Sequence, residues 1–305
     1  MKRHTIFVLA LAGFLGACAP LVRETGPVWV PSENRYISEA QALERMAAAP
    51  VLLLGESHDN QEHHRLQARV VAHLSGLGQR RALAFEMIDR DRQASLAGFG
   101  TGEGKEAQAL RLLLDWDKSG WPDFALYAPI FQEGMKAGWP IIAANLPKSS
   151  MKGAGKPGGL SQAQEDQLGL NAPLAQSASD DLKQDLIDSH CGLLPESSLP
   201  AMMRIQIARD GAMALSLIEN MGESGAVLIA GAGHVRTDRA VPLHIARLKP
   251  GLGVLSLAFR ERAEPPSPPE NGNWPYDLVW FTPPAPEVDH CAGLKKRLEK
   301  KKDSP

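Results

Sequence analysis

Six short, largely apolar runs separated by stretches of helical spacing constrain this chain more than any other feature. They fall at residues 51–54, 82–87, 141–144, 226–230, 252–259 and 278–281. A strand with one face in water alternates apolar and polar residues, whereas a continuous apolar run must be covered on both faces. With helices between the runs, the pattern predicts an α/β fold built on a largely parallel sheet flanked by helices. Some eighty residues between the third and fourth runs hold no convincing strand. Residues 161–221 carry helical spacing instead, and four glycines and a proline at 152–159 read as a mobile loop. The region 151–221 is therefore expected to be an all-helical subdomain inserted into a sheet domain made of 36–150 and 222–284.

The two ends of the chain read differently. Lys2, Arg3 and His4 precede an apolar run at 6–15 that is too short to span a bilayer and has the length of a signal-peptide core. It ends in Leu15-Gly16-Ala17-Cys18, which resembles a bacterial lipobox. Residues 1–17 are thus expected to be removed and Cys18 acylated, since stable anchoring needs more than one acyl chain. Ala19 after the cysteine suggests the outer membrane of a bacterial cell envelope. Residues 18–35, with Pro20, Pro27 and Pro31, read as a tether. Residues 285–305 read as a solvated basic tail. A net charge of −2 speaks against a nucleic-acid partner.

Two of the runs end alike, in Gly55-Glu56-Ser57-His58 and Gly231-Ala232-Gly233-His234. In a parallel sheet, ligands sit outside the carboxyl ends of the strands, so both imidazoles are expected on one edge, and the glycines let the backbone turn sharply and approach a ligand. Glu86 ends the second run and Asn145 the third, which places Glu56, His58, Glu86, Asn145 and His234 along a single rim. Paired imidazoles and carboxylates suit acid–base catalysis by Glu56, His58, Glu86 and His234, or a divalent metal such as zinc on His58, Glu86 and His234. Capping and loop bonding by each histidine is the structural alternative. His63 and His64 follow on a helix, where exposed histidines are common. His190, at the expected end of a helix in the inserted region, is placed to close over the rim.

Taken in order, these blocks resemble the ChaN family. They are the Gly-Glu-Ser-His above, Phe85-Glu86, Ala143-Ala144-Asn145-Leu146-Pro147, and the run from Ala230 to Arg236. Gln206, Arg209, Asp210, Met213 and Ala214, together with the segment from Tyr276 to Pro283, extend the likeness across residues 36–284. The family consists of haem-binding lipoproteins within a larger group that includes Tiki proteases and erythromycin esterases. The resemblance implies a haem cofactor, paired haems at a homodimer contact, a tyrosine as iron ligand and a role in haem or iron acquisition. Tyr127-Ala128-Pro129 resembles a family block, which points to Tyr127. His58, His190 and His234 are the further candidates around a haem, and a tyrosinate suits ferric haem. A hydrolase using the paired strand ends is the alternative, because kinship of fold does not decide function.

With Cys18 committed to lipid, Cys191 and Cys291 remain in an oxidising compartment. A disulfide between them is expected. It would tie the segment after the sixth strand to the helical subdomain.

Overall fold

A computed structural model describes residues 28–99, 107–262, 274–286 and 289–295. The expected signal peptide, Cys18 and most of the expected basic tail lie outside these residues. Among the described residues no helix is long and apolar enough to cross a membrane.

All six expected strands form. In chain order they are β3 (Val51–Glu56), β4 (Ala82–Asp89), β5 (Ile141–Asn145), β6 (Ala226–Gly231), β7 (Val254–Glu261) and β8 (Leu278–Thr282). Two more precede them, β1 (Val28–Val30) and β2 (Arg35–Ile37). The eight strands make one sheet in the order β2-β1-β8-β7-β3-β6-β4-β5. The six from β3 onward pair in parallel, while β1 runs antiparallel to both β2 and β8. Residues 28–35 are therefore not tether. Val28, Trp29 and Val30 are all buried and close the sheet beyond β8.

Alternation along each strand sends its side chains to two different cores. On β3, Leu52 and Leu54 join one face and Val51 and Leu53 the other. On β6, Val227 and Ile229 oppose Leu228 and Ala230 in the same way. The first face is covered by α1 (Glu39–Ala48), α2 (Gln61–Gly76) and α4 (Phe124–Lys136), through Met46, Val70, Leu74 and Phe131. Helix α1 opens with the reciprocal Ser38–Gln41 capping box that its sequence calls for. A short α3 (Ala107–Leu113) packs beside α4.

The region 151–221 is helical, as expected, but it is not a detached subdomain. It holds α5 (Lys148–Ala154), α6 (Gln162–Gln167), α7 (Gln176–Ser189) and α8 (Leu199–Glu219). The second half of α8 lies on the sheet, where Met213, Ala214 and Leu217 belong to the core of the second face. Helix α9 (Val241–Leu248) completes that face. The loop expected at 152–159 is a tight turn at the end of α5, closed by Gly155 N–H to Met151 O and Gly159 N–H to Lys156 O.

Cys191 and Cys291 are bridged as expected, with Cα atoms 5.7 Å apart and within the range that a disulfide requires.

Candidate haem site

The carboxyl ends of β3, β4, β5 and β6 lie side by side, so Glu56, Glu86, Asn145 and the turn bearing His234 share one rim. The two matching glycines act through close approach rather than through unusual backbone angles. A Cβ on Gly55 would lie 2.3 Å from Val235 Cγ2, so Gly55 lets the turn after β6 settle on β3. A Cβ on Gly231 would lie 3.0 Å from His58 Nε2, so Gly231 makes room for that imidazole. The glycines thus admit the chain's own groups and not only a ligand.

Two linked clusters result. In the first, Glu56 is buried; its Oε1 receives the Tyr127 hydroxyl at 2.8 Å and His58 Nδ1 at 2.9 Å. Its Oε2 lies 3.1 Å from His64 Nδ1, and His64 Nε2 donates to His58 O at 3.0 Å. Burial alone would raise the Glu56 pKa, but His64 and His58 outweigh it and hold the carboxyl at about 2. Burial likewise pushes His58 and His64 down, and the carboxylates prevail, raising both.

In the second cluster, Glu86 is buried where β4, β6 and α8 meet. Its Oε2 accepts Gly231 N–H at 2.7 Å; its Oε1 accepts the Arg209 guanidinium and lies 3.3 Å from His234 Nε2. Arg209 Nε is held by Asn145 Oδ1 at 2.9 Å, and His234 Nδ1 by Asp210 at 2.6 Å. Burial would raise the Glu86 pKa, yet His234, Arg209 and His58 hold it well below the carboxylate range. Burial would lower His234, yet Glu86 and Asp210 raise it to about 9, so this ring is cationic at neutral pH.

The rim residues therefore converge as expected, but several assigned roles change. Among the described residues, no group of three or more His, Cys, Asp or Glu is arranged to hold a metal ion. The set His58, Glu86 and His234 is joined by the Arg209 guanidinium, whose charge opposes a cation there. Tyr127 is wholly buried, gives its hydroxyl to Glu56 and packs against His64 and Trp116. Burial, with the Glu56 carboxylate beside it, pushes the phenol far above its ordinary pKa, so in this structure it is a neutral donor to Glu56. His190 turns its Nδ1 back to Leu186 O at 2.9 Å and so caps α7 instead of reaching the rim. His63 is structural, accepting Ser57 N–H at Nδ1 and facing Thr282 Oγ1 through Nε2.

One ring nitrogen remains. His58 keeps 33% of its side chain exposed, against 12% for His234. Its Nδ1 is engaged by Glu56, while its Nε2 forms no hydrogen bond among the described residues and lies 3.9 Å from Glu86 Oε2. The ring meets Trp121 edge to face at 5.0 Å. A half-exposed imidazole with its second nitrogen fixed on a carboxylate, beside an aromatic wall, fits a haem iron.

Residues 42–245 match the family described as haem-binding uptake, Tiki superfamily, ChaN. The chain belongs to this family. Among solved structures, it resembles ChaN of Campylobacter jejuni, described as showing cofacial haem binding. That likeness has 22% identity and a TM-score of 0.68, over 84% of this chain and 96% of that one. At this identity it speaks for the ChaN fold alone. More distant likenesses include the type III effector HopBA1, with 14% identity and a TM-score of 0.45, over 80% of this chain and 92% of that one. An erythromycin esterase mutant in its open conformation has 15% identity and a TM-score of 0.44, over 86% and 83%. No curated protein matches the chain.

Sequence reasoning missed Arg209, Asp210 and His64 as site residues. Arg209 and Asp210 stood in a block already singled out for its likeness to the family and not for a place on the rim.

Proposed function

We propose that this protein is a lipid-anchored haem-binding protein of the bacterial cell envelope serving haem or iron uptake, with His58 Nε2 as the iron ligand. The observation that carries this reading is the pairing of His58 with Glu56 in a chain of a haem-binding uptake family. Glu56 would hold the Nδ1 proton and strengthen Nε2 as a donor, the usual arrangement behind a metal-binding histidine. Bound haem would supply the iron that uptake delivers; the chain supplies an oriented ligand, the Trp121 wall and a closed floor of paired charges. The hydrolase reading has less support, because His234 is held as a cation between Glu86 and Asp210.

Haem titrated into the wild-type protein should give a saturable Soret band. His58→Ala should weaken binding by at least tenfold, and Tyr127→Phe should leave it unchanged. Normal binding by His58→Ala, or loss confined to Tyr127→Phe, would remove His58 as the ligand. The anchor is tested separately: fatty-acid labelling should mark the wild-type protein in cells and be absent from Cys18→Ser. Equal labelling of both would end the lipoprotein assignment.

A further inference from the structure

The chain enters the sheet and leaves it at the same edge. Strand β1 runs antiparallel to β8, with Val28 beside Trp280 and Trp29 beside Val279. Strand β8 is parallel to β7 and, through it, to β3, so it ends on the rim side, at Thr282. Residues before Val28 therefore reach the sheet from the rim side. The end of β8 is fastened there, because Asn60 Nδ2, two residues past His58, donates to Pro283 O at 3.2 Å.

The C-terminal end is held at the same place. His290 Nε2 lies 2.9 Å from Asp59 Oδ2, at the residue after His58, and the next residue, Cys291, is bridged to Cys191. Lys295 follows four residues later and is exposed. From Lys295 to Lys302 the sequence carries six cations, Lys295, Lys296, Arg297, Lys300, Lys301 and Lys302, against the single acid Glu299. The whole chain has a net charge of −2, so this segment concentrates positive charge on a slightly acidic protein.

We propose that the rim edge of the sheet is the face this protein turns to a membrane, with residues 295–302 binding anionic lipid headgroups beside the acyl group on Cys18; the proposal rests on the reading of Cys18 as the acylated residue. Cys18 precedes Val28 by ten residues, and ten residues reach at most about 35 Å. A tether of that length keeps the domain near the bilayer but leaves it free to turn. A second contact from the same edge removes that freedom. An acyl group joined to a basic segment is a standard pairing of weak membrane signals. Each Lys or Arg close to an anionic surface strengthens binding by about fivefold. That attraction fades beyond a Debye length of about 8 Å in physiological salt, so the edge from which the cations depart must itself lie close to the headgroups. The His290–Asp59 contact and the bridge set that edge, and His58 goes with it.

Two measurements test this. The first uses residues 18–305 with Cys18→Ser, which carry no acyl group, so its outcome does not depend on lipidation. This protein should bind vesicles of phosphatidylcholine with phosphatidylglycerol at least tenfold more tightly than vesicles of phosphatidylcholine alone, and added salt should narrow that gap. Changing the six cations of 295–302 to glutamine should remove the preference and leave the thermal melt unaltered. Equal binding to both vesicles, an undiminished preference in the variant, or binding to nucleic acid with none to anionic vesicles overturns the contact. The second uses the acylated protein on the anionic vesicles with a quencher on the headgroups. A fluorophore is placed at Gln61→Cys, where α2 begins on the rim edge, or at Glu223→Cys, just before β6 on the opposite edge; both positions are exposed. The label at 61 should be quenched several-fold more than the label at 223. Equal quenching, or the reverse order, overturns the orientation while the acylation of Cys18 stands. Absence of fatty acid from Cys18 overturns the anchor and this orientation with it, and the vesicle preference then reports on the basic segment alone.

Discussion

Glu86→Gln should destabilise the protein by about 3–5 kcal/mol, because it leaves the Arg209 and His234 cations without the carboxylate that both share. For a domain of this size that corresponds to a fall in Tm of about 10 °C. The shape is kept and Gly231 N–H can still donate to an amide oxygen, so the loss reports charge and not packing. A Tm within about 2 °C of wild type would mean that the pair is effectively solvated.

The same variant should reshape the dependence of stability on pH. Burial pushes His234 down, but Glu86 and Asp210 raise it from 6.5 to about 9. Its contribution is therefore complete below pH 6.5 and lost as pH rises through about 9. Glu56 behaves oppositely. Lowered from 4.5 to about 2, it stabilises the fold above pH 4.5 and ceases to do so as pH falls through about 2. Buried His63, lowered from 6.5 to about 4, stays neutral while the unfolded chain takes up a proton, which costs stability between those values. Wild type should thus be most stable near pH 6.5 and weaken in both directions. Glu86→Gln should flatten the alkaline limb, since the group that does most to raise His234 is gone. An unaltered alkaline limb would assign it to other groups.

Removing the disulfide should have a comparable effect. The bridge joins residues 100 apart, and closing a loop of that length is worth about 4.7 kcal/mol in the chain-entropy model. Cys191→Ser with Cys291→Ser should lower Tm by roughly as much as Glu86→Gln. The bridge also places His290 2.9 Å from Asp59, the residue after His58. Its loss should make the C-terminal segment an early target for proteases while leaving the sheet intact. Thiol titration of the denatured, unreduced protein should find neither cysteine free; two reactive thiols would refute the bridge.

The parallel sheet and its rim were legible because both depend on local patterns. Continuous apolar runs report burial on two faces, and a strand's last residues must lie on its carboxyl edge whatever the loops do. What escaped depends on contacts between distant parts of the chain. The β1 and β2 strands are three residues each beside Pro31, and they are strands because β8, some 250 residues later, offers an edge. His63 and His64 are adjacent on α2, about 100° apart around its axis. Only the seating of that helix decides that His64 faces Glu56 while His63 faces Thr282. Tyr127 was visible as a tyrosine in an apolar helix, but the direction of its hydroxyl is set by a carboxylate 71 residues away.

Helix α8 runs unbroken for 21 residues, about 31 Å at the usual rise. Its first half packs with α7, its middle presents Arg209 and Asp210 to the rim, and its last turns are part of the sheet core. A cover hinged on such a rod cannot swing away without dragging the charged floor and the core with it. Amide exchange should follow that division, slow along the second half of α8, which is part of the sheet core, and faster in α6 and α7.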